Sequence, residues 1–237
     1  MSLNRVWLPS PNYSSRSGAT VKLIVLHTAE GARTYQDLGA FFQNKSVEAS
    51  SHVGIDDTPG TIGEYVKRDD KAWTCANYNG VSVNVELCGF ADWSTDTWKN
   101  QHHQMLENCA QWIAEEAAHY GIPITALSPG EAQGGMRGVC QHKDLGAAGG
   151  GHHDCGPGFP MNYVLDLARG TAPKPEPEPT PEDKMIATAT NKDGRVLVFV
   201  EKDDGRVFRA YQKDDGSWGM TEDGKKILWQ AMGNPGK

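Results

Sequence analysis

Val21-Lys22-Leu23-Ile24-Val25-Leu26-His27 is a run of mostly apolar, partly β-branched residues that stops on an imidazole. A run this short between polar neighbours suits a buried strand, and the end of that strand then presents His27. Seven residues further on, Thr34-x-x-Asp37 precedes Leu38, Phe41 and Phe42, the pattern of a capped helix. Strand followed by helix predicts α/β layering. In Val81-Ser82-Val83-Asn84-Val85-Glu86-Leu87-Cys88 the valines and Leu87 fall on one face, and Ser82, Asn84, Glu86 and Cys88 on the other. A second strand therefore aims Glu86 away from the valine face. Met105, Cys109, Trp112, Ile113, Ala117 and Tyr120 recur at helical spacing before Gly121 and Pro123, which predicts one long amphipathic helix over about residues 97–120. A single α/β domain over residues 1–170 is the expectation, with the glycine runs at 134–135 and 149–151 as mobile loops beside a site.

The domain ends where proline begins to alternate. Residues 171–183, with Pro173-Lys174-Pro175-Glu176-Pro177-Glu178-Pro179-Thr180-Pro181 at their centre, exclude helix and sheet and predict a semi-rigid spacer. Beyond it, Asp193-Gly194, Asp204-Gly205 and Asp215-Gly216 recur every eleven residues between short apolar runs. That period predicts a β-meander with Asp-Gly turns, so residues 184–237 form a small all-β module of about four strands. A sheet of that size is marginal on its own.

Composition narrows the partners. A formal charge of −7 argues against nucleic acid and anionic membrane, which are met by clustered Lys and Arg. No stretch reaches the length of a membrane span, so no membrane insertion is expected, and Met1 to Gly18 lacks the apolar centre of a signal peptide. The five cysteines are odd in number and sit mostly in apolar segments, which predicts buried, reduced thiols.

Gln141-His142-Lys143-Asp144-Leu145 and His152-His153-Asp154-Cys155-Gly156-Pro157 concentrate metal- and proton-handling side chains in one glycine-rich stretch. Any one histidine alone is more often a surface or core residue. Taken together, His27, His142 and Asp154 offer two imidazoles and a carboxylate, a donor set that suits zinc and leaves a vertex for water. Amide hydrolysis by such a centre needs a general base, and Glu86 is the candidate, against the plainer reading of an exposed strand glutamate.

Ile24-Val25-Leu26-His27-Thr28, Ser51-His52-Val53-Gly54-Ile55-Asp56, Lys71-Ala72-Trp73, Val83-Asn84-Val85-Glu86-Leu87 and the two histidine-bearing stretches, in that order, resemble the zinc-dependent N-acetylmuramoyl-L-alanine amidases related to peptidoglycan recognition proteins. Within that superfamily the chain most resembles endolysins of phages that infect actinobacteria, mycobacteria in particular. The resemblance implies a mixed central β-sheet flanked by helices, Zn2+ held by His27 and His142, and Glu86 as the base. It aligns Asp154 with the third ligand and keeps Cys155 as the alternative, because relatives use either an aspartate or a cysteine there. It also implies an oxyanion-stabilising role for His152 and a place near the substrate groove for Trp73. His52 falls in a strand beside that groove, where it either lines substrate or satisfies the core. Further implications are bacterial peptidoglycan as substrate, synthesis in the host cytoplasm without a signal peptide, action on the cell wall, and dependence on a membrane-permeabilising partner. Two rivals remain: a peptidoglycan-binding protein without catalysis, and a zinc peptidase cutting within the stem peptide. The tail resembles one blade of a lectin-like propeller, which implies wall binding, a homo-oligomer that pools blades, or a structural module without a ligand.

Overall fold

The computed structural model describes residues 2–171, 184–190, 196–201, 207–212 and 218–221. Two compact units emerge, Met1–Ala172 and Pro173–Lys237. The first contains strands β1 (Asn4–Trp7), β2 (Tyr13–Ser15), β3 (Leu23–Thr28), β4 (Val53–Ile55), β5 (Thr61–Glu64), β6 (Asp70–Ala72), β7 (Ser82–Leu87) and β8 (Gly138–Gln141). Its helices are α1 (Tyr35–Gln43), α2 (Thr95–Gln101), α3 (His103–Tyr120), α4 (Pro129–Gln133) and α5 (Met161–Arg169). Six strands form a mixed sheet in the order β1-β5-β4-β7-β3-β8. β4, β7, β3 and β8 run parallel, and β5 turns back against β4. β2 and β6 pair as a separate ribbon.

β3 is buried along its whole length, as expected of a strand with parallel neighbours on both sides and cover on both faces. The two-residue period divides its cover. Ile24 and Leu26 join Val83, Val85 and Leu87 of β7 in the main core, against Met105, Cys109, Trp112 and Ile113 of α3 and Val164 and Leu165 of α5. Leu23 and Val25 face the other way, into a smaller cluster with Cys75, Leu127, Ala132, Cys140 and Leu145. All five cysteines are buried and unpaired. The helix cap at Thr34 forms as expected, its hydroxyl accepting from Asp37 N at 3.1 Å.

Two expectations change. The long helix is two, because His102 (φ −127, ψ 32) breaks the helical path between α2 and α3. Its ring stacks on Trp93 at 3.9 Å and its Nδ1 lies 2.6 Å from Asp57 Oδ2, so a half-buried contact holds the break. The glycine runs stand at the ends of helical segments rather than within long loops. Gly134 ends α4, and Gly149 closes a 3-10 segment, His142–Gly149, in which His142, Asp144 and Leu145 are buried.

In the second unit, β9 (Lys184–Thr190), β10 (Val196–Glu201), β11 (Val207–Gln212) and β12 (Trp218–Thr221) form an antiparallel sheet in chain order, the expected meander. Phe199 of β10 is fully buried. The Asp-Gly pairs and the proline-rich spacer lie outside the described residues. Among the described residues no helix is long and apolar enough to cross a membrane.

Candidate metal centre

Parallel register brings the candidate residues together. His27 pairs with Glu86 across β3 and β7, and Leu26 pairs with Gln141 across β3 and β8, so His142 leaves the next strand beside His27. The carboxyl ends of parallel strands are where open α/β sheets present their ligand sites. Asp154 arrives on the loop after the 3-10 segment. That loop is clipped back to β8 by Lys143 N donating to Asp154 O at 2.9 Å and Cys155 N donating to Gln141 Oε1 at 3.2 Å.

His27, His142 and Asp154 are all buried, and one ligand atom from each lies within 4.8 Å of the others. The two Nδ1 atoms are 2.9 Å apart, with Asp154 Oδ2 3.4 Å from His27 Nδ1 and Asp154 Oδ1 3.3 Å from His142 Nδ1. On the far side of each ring, His27 Nε2 is 3.2 Å from Asn84 Oδ1 and His142 Nε2 is 2.8 Å from Gly149 O. Acceptors at both Nε2 atoms favour the Nε2–H tautomer, which points the Nδ1 lone pairs inward at each other. A shared cation relieves that opposition, so the residues fit a metal. Burial also pushes His27 below the ordinary imidazole value, keeping it in the neutral form that ligation requires. A side chain at position 149 would collide with Leu145, so glycine is what lets this carbonyl reach His142.

The triad lies in a groove of about 670 Å³, whose walls include Glu30, Phe41, Trp73, Glu86, His152 and His153. Glu86 Oε1 stands 4.0 Å from His27 Nδ1, with 14% of the side chain exposed. Burial first, then the negative charges of Asp154 and Glu30, pushes its carboxyl well above the usual range. A cation held in the cage would oppose that shift and favour the carboxylate form of Glu86. His152 is exposed, stacked on His142 at 4.3 Å, with Nδ1 3.8 Å from Asp154 Oδ1. Trp73 anchors itself through Nε1, which donates to Ser14 Oγ at 3.0 Å.

Between the two alternatives for the third position, the cluster takes Asp154. Cys155 turns the opposite way and buries its thiol in the main apolar core. His52 does not line the groove and its candidacy for substrate is corrected. It is 1% exposed, its Nδ1 accepts from Asn84 N at 3.0 Å, and its Nε2 lies 3.1 Å from Asp70 O and 2.8 Å from Arg16 Nη2. Burial, and after it the Arg16 guanidinium, lowers His52 to about 3. Because the unfolded chain protonates this ring below about 6.5 and the folded one does not, its contribution to stability is full above that pH and is lost as pH falls toward 3. His52→Gln is expected to cost about 1–3 kcal/mol in urea unfolding at pH 7.5 and to flatten part of the acid slope; an unchanged midpoint and slope would return His52 to the list of groove residues.

Two residues of the site escaped the sequence reading. Glu30 lines the groove, with Oε1 accepting from Thr28 Oγ1 at 2.5 Å and Ala91 N at 2.8 Å. Asn84 stands behind His27, and its signal was its place on the same polar strand face as Glu86.

Comparison with known proteins agrees with this geometry. Residues 17–158 match the family described as N-acetylmuramoyl-L-alanine amidase. N-acetylmuramoyl-L-alanine amidase A of Achromobacter lyticus is 34% identical over 88 residues, 36% of this chain and 48% of that protein. The chain thus spans about half the length of this curated relative. Among solved structures, the Staphylococcus aureus hydrolase AmiA in complex with its ligand matches with a TM-score of 0.56 at 19% identity, over 73% of this chain and 87% of that one. N-acetylmuramoyl-L-alanine amidase LysC from Clostridium intestinale URNW matches with a TM-score of 0.50 at 13% identity, over 73% and 99% respectively. At such identities the structural likeness is one of fold. The family match is what reaches the site, since it takes in β3, β7, β8 and all three clustered side chains, and the chain belongs to the N-acetylmuramoyl-L-alanine amidase family.

Proposed function

We infer that the first unit hydrolyses peptidoglycan at the amide between the lactyl group of N-acetylmuramic acid and the first L-alanine of the stem peptide, with zinc as cofactor. The observation that carries this is the convergence of two imidazole Nδ1 atoms and one carboxylate beside Glu86, in an open groove, in a chain of this family. Zinc in that cage supplies Lewis acidity toward a carbonyl oxygen and toward water. Glu86 takes the proton of the attacking water and returns it to the leaving amine of L-alanine. His152, at the exposed lip of the cage, donates to the oxyanion of the tetrahedral intermediate. Trp73 and Phe41 offer apolar faces along the groove for the polymer.

The complete donor set favours a catalyst over a peptidoglycan-binding protein that does no chemistry. Against a peptidase cutting within the stem, the family match favours the muramoyl amide. Mass spectrometry of digested peptidoglycan separates the three. The expected products are stem peptides that begin at L-alanine and glycan that retains its lactyl carboxyl. Internal stem cuts would point to the peptidase, and binding without products to the non-catalytic reading.

The setting that fits the sequence resemblance is a phage endolysin of the kind that attacks actinobacteria. In that setting residues 1–170 are the catalytic domain, 171–183 a spacer and 184–237 a wall-binding module, and a membrane-permeabilising partner admits the enzyme to the wall.

A further inference from the structure

The acceptors behind the two imidazoles differ in kind. His142 leans on a backbone carbonyl, Gly149 O, which can only accept. His27 leans on Asn84, whose amide can present either an oxygen or an NH2 group. Only the oxygen leaves a lone pair at His27 Nδ1. An NH2 facing Nε2 would draw the lone pair to Nε2 and put the proton at Nδ1, where it repels a cation.

The surrounding network decides which end faces the ring. Ser82 Oγ is 2.9 Å from Tyr78 O and 3.4 Å from Asn84 Oδ1, and the shorter contact, to a carbonyl that only accepts, takes the hydroxyl proton. The remaining lone-pair side of Ser82 accepts from Asn84 Nδ2 at 3.1 Å. With its NH2 turned to Ser82, the amide has Oδ1 turned to His27. Cys75 Sγ lies 3.4 Å from Oδ1 and 3.2 Å from Ser82 Oγ. Burial pushes the Cys75 thiol up to about 12, so it keeps its proton and donates toward this cluster. Cys75, Ser82 and Asn84 are all fully buried, so solvent cannot replace a lost partner.

The geometry points to Ser82 and Asn84 as positioning residues: the Tyr78 carbonyl orders the Ser82 hydroxyl, Ser82 orders the Asn84 amide, and Asn84 holds His27 in the tautomer that binds metal. This rests on the metal centre of the proposed function and adds two residues that never touch the metal. It also accounts for a polar pair, Ser82 and Asn84, on the buried face of a central strand.

The test is zinc affinity of the full-length protein, measured by competition with a chromophoric chelator. Asn84→Ala is expected to weaken zinc about 10–100-fold, the usual effect of removing the partner of a ligating histidine. Ser82→Ala is expected to weaken it about threefold to tenfold by letting the amide turn. Asn84→Asp has no NH2 to misdirect, so in that background Ser82→Ala is expected to change zinc affinity by less than about twofold. A purely packing role for Ser82 would cost the same in both backgrounds, and that result overturns the relay. So does wild-type zinc affinity in a folded Asn84→Ala protein. If Asn84→Ala does not fold, the Ser82→Ala comparison in the two backgrounds decides alone. Wild-type protein that fails to bind zinc removes the metal centre itself, a different outcome from wild-type binding that ignores Ser82 and Asn84.

Discussion

Glu86→Ala is expected to bind zinc as the wild type does and to lose turnover by a factor of about 10²–10⁴, the range that a positioned general base contributes. The separation follows from geometry. The cage closes through His27, His142 and Asp154, and Glu86 lies outside it, 4.0 Å from His27 Nδ1 on the neighbouring strand. Its removal also relieves the repulsion it shares with Asp154 and Glu30, so the metal has no reason to leave through instability of the site. Glu86→Gln keeps the shape of the side chain and abolishes only its basicity, so the two variants together distinguish proton transfer from a cavity effect. Metal content by atomic spectroscopy and release of new amino termini from peptidoglycan give the two readouts. Wall lysis near the wild-type rate in both variants would take Glu86 out of the mechanism.

Those residues were legible in the sequence because local pattern placed them. The apolar run ending at His27 and the alternation around Glu86 each need only the two-residue period of a strand, and β3 and β7 occupy adjacent positions in the sheet. What local pattern lacks is any record of distant partners. The break at His102 depends on Asp57, 45 residues away, and a periodic apolar stripe runs through it unmarked. His52 stayed open between groove and core because the partners around its ring, Arg16, Asp70 and Asn84, are none of them adjacent in the chain. Asp154 and Cys155 could not be told apart by type, since both ligate zinc. The clip from Cys155 N to Gln141 fixes the loop so that one faces the histidines and the other the core.

His27→Ala is expected to abolish both zinc binding and hydrolysis, the complement of the Glu86 result. A catalytic zinc site holds its ion with three protein ligands, and two leave an open and weakly bound ion. Removing His27 also takes the ring away from the buried Asn84 Oδ1 and leaves His142 and Asp154 without the third wall of the cage. The readout can be made independent of activity. A ligand that binds only the folded state stabilises it by about 2.7 kcal/mol at a hundred times its Kd. Zinc should therefore raise the melting temperature of the wild type and of Glu86→Ala, and leave that of His27→Ala where it was. A His27→Ala protein that takes up a full equivalent of zinc and digests peptidoglycan would dismantle the cage, and with it the place of Glu86 beside a metal.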